Sequence, residues 1–238
     1  MEVIVVRHHA EDSPGFIAEA FQARGADITT HLFPAGGPLP RFEGADHVVV
    51  LGALQSVYDQ GEHRSWIEQE LAWLRQADEA GIPVLGICFG AQAICMALGG
   101  QVVAADRKEI GWSMIDSADL DLMPAGPWLQ FHGDRCVPPA DATILASNDV
   151  GVQAFTIGRH LAVQFHPEVD GAQLSGWLDA GGRQEAARAG CDPDRFLAQT
   201  AAQEPAARAR AHALVGTAIG QASGARIRAY PRSARSLP

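Results

Sequence analysis

Residues 84–100 read VLGICFGAQAICMALGG, and the fold is decided here. Val84–Ile87 is a short apolar run, the pattern of a strand buried on both faces. From Phe89 to Leu98 the pattern turns helical, and Gly99–Gly100 closes it. A strand passing into a helix across one residue, Cys88, marks an α/β crossover. Working outward, the alternation recurs. Upstream, Val3–Arg7, Ile28–Phe33 and His47–Leu51 are strand candidates, with helices predicted over Phe16–Arg24 and Trp66–Ala80. Downstream, strand-like pieces at Ile110–Ile115, Thr143–Ala146, Val152–Ile157 and His160–Phe165 give way to helices. Those helices are predicted over Gln173–Ala180, Asp194–Gln203 and Ala206–Ile219. The expectation is one three-layer α/β domain over residues 1–220, with a mostly parallel central sheet and helices on both faces.

Composition bounds the function. A chain of 238 residues, 47% hydrophobic and 19% charged, is globular. Its formal net charge of −10 argues against a general nucleic-acid binder, which needs a basic surface. The four cysteines, at 88, 95, 136 and 191, form no CxxC pair, so neither a disulfide framework nor a zinc site is expected. Reduced thiols, no apolar run of membrane-spanning length and no basic, apolar leader at the N-terminus point to the cytoplasm, away from membranes. Residues 221–238 hold Arg226, Arg228, Arg232 and Arg235 among Ser, Gly, Ala and Pro, and read as a flexible basic tail. His8 and His9, near Glu11 and Asp12, match no metal-ligand spacing and read as a solvated loop. No phosphate-cradling glycine motif occurs, so neither metal nor nucleotide cofactor is expected.

Cys88 is the candidate nucleophile. A residue on the turn between strand and helix presents its side chain at the C-terminal edge of the sheet, where open α/β sheets bind ligands. The helix N-terminus favours thiolate over thiol. Gly86 and Gly90 permit a strained turn and close packing, the logic of a nucleophile elbow. A thiol nucleophile needs a base and an orienter. His166 ends the apolar run LAVQF, Pro167 turns the chain, and Glu168 can reach back to the second imidazole nitrogen.

These residues carry a resemblance. GICFGAQAICMALGG at 86–100, QFHGD at 130–134 and QFHPEV at 164–169, supported by SVYD at 56–59 and KEIGW at 108–112, resemble the class I (triad) glutamine amidotransferases. Within that family the chain resembles the amidotransferase half of GMP synthetase and its free-standing relatives. The resemblance implies a flavodoxin-like fold and glutamine as substrate. It implies catalysis by Cys88, His166 and Glu168, and ammonia release to a synthetase or other acceptor protein. It places the oxyanion hole at the Phe89 N–H and the Gly52–Ala53 turn, and assigns glutamine binding to Gln92, Gln130 and His132, the last two on a QFHGD loop. One departure is Gly52-Ala53-Leu54 where many relatives read Gly-Gly-Pro. Two other readings fit the same residues: a γ-glutamyl amide hydrolase acting on a larger substrate, and a non-catalytic regulatory relative.

Overall fold

The computed structural model describes residues 1–223. The chain runs β1 (Glu2–Arg7), α1 (Gly15–Gln22), β2 (Asp27–Leu32), β3 (His47–Val50), α2 (Arg64–Glu79), β4 (Val84–Ile87), α3 (Phe89–Ala97) and β5 (Gln101–Ser113). It continues through β6 (Asp116–Ser117), β7 (Trp128–Val137), β8 (Thr143–Ser147), β9 (Val152–Ile157), β10 (His160–Val163), α4 (Gly171–Trp177), α5 (Arg183–Arg188) and α6 (Pro193–Ala222). The sheet order is β2-β1-β3-β4-β10-β9-β7-β5; off this path β8 pairs with β9, and β6 pairs with β8. The first five strands are mutually parallel, and the extension from β9 onward is antiparallel. The fold is a single α/β domain of flavodoxin-like order.

Two-residue alternation sorts the strands between two cores. Val3, Val5, Val49, Leu85, Ile87, Leu161 and Val163 pack on one face against Phe16, Ile17 and Phe21 of α1 and Leu214 and Val215 of α6. Val6, Val48, Val50, Val84 and Ala162 face Trp66, Ile67, Trp73 and Leu74 of α2 and Phe89 and Ile94 of α3. Helix α3 lies unusually close to the sheet. A Cβ at Gly90 would sit 2.2 Å from the Val50 carbonyl oxygen, and one at Gly86 would sit 2.5 Å from the Gly90 carbonyl oxygen. No L side chain fits at either point.

Three sequence expectations give way. QFHGD is not a loop: residues 130–134 lie inside β7, antiparallel to β5, with Gly111 opposite Gln130. The alternation is hidden because Gln130 and His132 are buried alongside Trp128 and Leu129, with Gln130 Nε2 donating to Gln153 and His132 Nδ1 meeting the Asp134 carbonyl. The two expected C-terminal helices are one, α6, which runs through Pro205. Proline removes one helical hydrogen bond, yet Phe196, Thr200, Ala207, Ala211, Leu214 and Ala218 bury one continuous stripe that holds both halves in line. The expected boundary at 220 falls inside this helix, whose last turn is tied down by Gln221 Nε2 donating to the Gly158 carbonyl at 2.7 Å. The rest of the expected tail, residues 224–238, lies outside the described residues.

The close approach of α3 is testable by mutation. Gly90→Ala should lower unfolding free energy by about 1–3 kcal/mol, the usual cost of overpacking. Gly220→Ala, where an added Cβ meets nothing within 4 Å, should be neutral or gain up to about 1 kcal/mol from helix propensity. Urea denaturation of the two variants distinguishes them, and equal midpoints would contradict the packing account.

Candidate active site

Cys88 occupies the single turn between β4 and α3, with φ 53° and ψ −106°. It is the only non-glycine residue with positive φ among the described residues. Such backbone is costly and persists only where the surroundings over-determine it. Here the Cys88 N–H donates to the Val163 carbonyl at 2.9 Å, and the Cys88 carbonyl accepts from the Gln92 N–H at 3.0 Å, which starts α3. The thiol therefore stands at the helix N-terminus and at the C-terminal edge of the parallel strands. Gln164, just past β10, donates from Nε2 to the sulfur at 3.7 Å.

His166 follows β10 on the same edge. Its backbone N–H donates to the Leu129 carbonyl at 2.8 Å, which pins it to β7. Its ring donates from Nδ1 to Glu168 Oε1 at 2.8 Å, and both side chains are buried. The Glu168 carbonyl accepts from the Phe16 N–H at 3.1 Å, at the start of α1. Gly15 makes that approach possible, since a Cβ there would sit 2.0 Å from the same oxygen. Trp177 meets the imidazole edge-on with ring centroids 4.9 Å apart. Burial opposes charge on His166, but the Glu168 carboxylate and the Cys88 sulfur together hold it protonated well above the ordinary imidazole range.

These groups open into a cleft of about 360 Å³. Leu51, Gly52, Ala53 and Leu54 form one wall, and Phe131, Gln173 and Trp177 another. Gly52 comes close: an added Cβ would lie 3.2 Å from His166 Cε1 and 3.8 Å from Cys88 Cβ. Phe89 directly follows Cys88 at the start of α3. The expected glutamine-binding set departs from this picture. Gln92, Gln130 and His132 are buried and do not line the cleft. Gln92 donates to Gln164 at 3.3 Å, Gln130 donates to Gln153 at 2.9 Å, and His132 lies 3.1 Å from Glu109. Gln130 and His132 lie within β7, Gln92 lies on α3, and Gln164 links Gln92 to the sulfur.

A family model described as glutamine amidotransferase class-I matches residues 16–175, a span that includes the elbow, the imidazole and the buried carboxylate. The chain belongs to this family. GMP synthase [glutamine-hydrolyzing] of Bartonella bacilliformis is 33% identical over 143 residues, covering 53% of this chain and 26% of that protein. The protein of the same name from Serratia proteamaculans is 38% identical over 108 residues, covering 38% of this chain and 20% of its own length. The amidotransferase thus spans about a quarter or less of these relatives. Its fold matches a glutamine amidotransferase from Thermotoga maritima with a TM-score of 0.81 at 24% identity, covering 92% of this chain and 98% of that one. A second, from Methylobacillus flagellatus, gives 0.82 at 18% identity over 92% and 94%.

Other residues of this amidotransferase gather at the site without a motif to announce them. Asp12 lines the cleft and accepts from Trp177 Nε1 at 3.2 Å, and burial raises its carboxyl above the ordinary range despite that bond. His8 is not in a solvated loop. Its side chain is 3% exposed and its Nε2 lies 2.9 Å from Glu70, whose side chain is fully buried. Its Nδ1 lies 2.8 Å from the Gly52 carbonyl oxygen. One signal was available: Glu70 stands on the buried stripe of α2 with Trp66, Ile67, Trp73 and Leu74, and an acid there requires a partner.

The charge on His166 has a direct test. The Glu168 carboxylate raises it, so removing that charge must lower the midpoint. Glu168→Gln should shift the His166 titration to lower pH, followed by the ring proton resonance in NMR. An unchanged or higher midpoint would contradict the electrostatic account.

Proposed function

We propose that this amidotransferase hydrolyses the side-chain amide of glutamine through a γ-glutamyl thioester on Cys88, and passes the ammonia to an acceptor-activating synthetase. The observation that carries this reading is the His166 imidazole beside Cys88, hydrogen-bonded to the buried carboxylate of Glu168. In the first step the Cys88 thiolate attacks the amide carbon. The oxygen takes the electron pair as an oxyanion, facing the N–H groups of Phe89 and Ala53. His166 gives its proton to the departing nitrogen, the C–N bond breaks, and ammonia leaves. In the second step water attacks the thioester as His166 takes its proton. The C–S bond breaks, glutamate is released, and the thiolate–imidazolium pair is restored. Glu168 holds the imidazole in one orientation throughout.

Alanine at 53 retains the amide N–H, so the departure from Gly-Gly-Pro leaves the donor in place. The amino-acid end of glutamine falls to residues that line the cleft. Gln173 Nε2 is buried without a hydrogen-bond partner and suits the α-carboxylate, and Asp12 suits the α-ammonium. Gln92, Gln130 and His132 act from behind, bracing the strands and the sulfur. The acceptor protein docks at the cleft mouth, where Leu54 is 89% exposed and Ser56 and Tyr58 both donate to Asp134. The reading places the reaction in the cytoplasm, where thiols stay reduced. All four cysteines are free, and among the described residues no helix is long and apolar enough to cross a membrane.

A second reading, hydrolysis of γ-glutamyl amides of larger amines, draws on the cleft itself. Its volume is within the range that takes drug-sized ligands, and Phe131, Trp177 and Leu54 offer apolar surface beyond the amide. Turnover of glutamine against bulky γ-glutamyl amides, with and without fractions containing synthetases, separates the two. Cys88→Ala and His166→Ala should each abolish turnover, with Glu168→Gln milder, because members of a triad act as a unit. A glutamine-like electrophile should label Cys88. Label on Cys191 with Cys88 unmodified would end the nucleophile assignment.

A further inference from the structure

The Gly52 carbonyl oxygen is met by His8 Nδ1 at 2.8 Å, and the other ring nitrogen of His8 meets Glu70 Oε2 at 2.9 Å and Oε1 at 3.2 Å. Both groups facing the ring are acceptors. Only an imidazolium, which donates from both nitrogens, satisfies the two together. The His8 ring also packs edge-on to Phe89, with centroids 4.9 Å apart, and against Trp66 at 5.6 Å. One buried side chain thus touches both sides of the oxyanion hole: the turn by a hydrogen bond, and the residue after the nucleophile by its ring.

We propose that His8, held by the Glu70 carboxylate, is a positioning residue that orients the Gly52–Ala53 peptide so that its N–H serves the oxyanion. The inference rests on the reading of Cys88 as an acyl-forming nucleophile, whatever amide it cleaves. The peptide is trans, so its C=O and N–H point to opposite sides. His8 does not line the cleft, whereas Gly52 and Ala53 do. Drawing the carbonyl toward His8 therefore turns the Ala53 N–H the other way. A hydrogen bond to an amide carbonyl also polarises the same amide and strengthens its N–H as a donor. His8 and Glu70 touch no reacting atom and act only through this peptide.

The test compares two double variants in which no buried charge is left unpaired. In His8→Asn/Glu70→Gln the asparagine side chain carries an N–H near the position of Nδ1 and can still donate to Gly52. His8→Phe/Glu70→Gln keeps an aromatic ring but no donor. Two probes are applied to Cys88, each located by mass spectrometry. p-Nitrophenyl acetate acylates through a tetrahedral oxyanion, and iodoacetamide alkylates without one. Loss of an oxyanion donor typically costs about 10²–10³ in rate. The phenylalanine double variant should lose acylation by roughly 10²-fold, and the asparagine one should regain at least about tenfold of it. Alkylation should stay within about threefold of wild type in both, since that reaction needs no oxyanion hole. Equal acylation in the two double variants, or alkylation falling in parallel with acylation, would overturn the proposal. Wild-type protein that is alkylated but never acylated at Cys88 would instead overturn the nucleophile reading, and this inference with it.

Discussion

Everything at the site depends on the left-handed backbone of Cys88. A non-glycine residue at φ 53° is strained, and the molecule holds it there by closing every alternative. The residue's N–H is taken by β10 and its carbonyl by the first turn of α3. Helix α3 cannot back away, because Gly86 and Gly90 let it lie against β4 and β3 at distances that no side chain would allow. The strain sets one thiol at a helix N-terminus, on the sheet edge where neighbouring strands deliver their own side chains.

Around that thiol the molecule places two buried imidazole–carboxylate pairs. His166 with Glu168 lies on the β10 side, and His8 with Glu70 lies beyond β3. Gly52 stands between them, with its carbonyl on His8 and its α-carbon against His166. Burial works against charge on both rings, yet both are raised: His8 by Glu70 with the Gly52 carbonyl and Asp12, and His166 by Glu168 with Cys88. In the proposed reaction one pair moves protons, and in the proposed positioning role the other fixes a peptide plane. A paired charge in a low-dielectric interior is stiffly located, which suits both tasks.

The antiparallel half of the sheet contributes indirectly. Strand β7 supplies the Leu129 carbonyl that anchors the His166 backbone, and Gln130, Gln153 and Glu109 link into a hydrogen-bonded layer behind the cleft. Gln130 and His132, expected in a substrate pocket, are instead buried in β7, and Gln92 is buried on α3.

The amino-acid sequence by itself determined the parallel core and the elbow. The apolar runs of β1, β3 and β4, the switch to helical spacing at Phe89 and the glycines two residues either side of Cys88 are local patterns. Local patterns survive without knowledge of neighbours. The HPE segment was legible for the same reason, since Glu168 reaches His166 within one turn of chain. What only the tertiary structure decided lies in contacts between distant segments. His8 meets Glu70 across 62 residues and Gly52 across 44, and no spacing rule reports such a meeting. QFHGD became a strand because β5 paired with it, and Pro205 stayed inside a helix because a shared buried stripe outweighed one lost hydrogen bond. Backbone propensity is a small, local free energy, and burial against a partner segment overrides it wherever the two disagree.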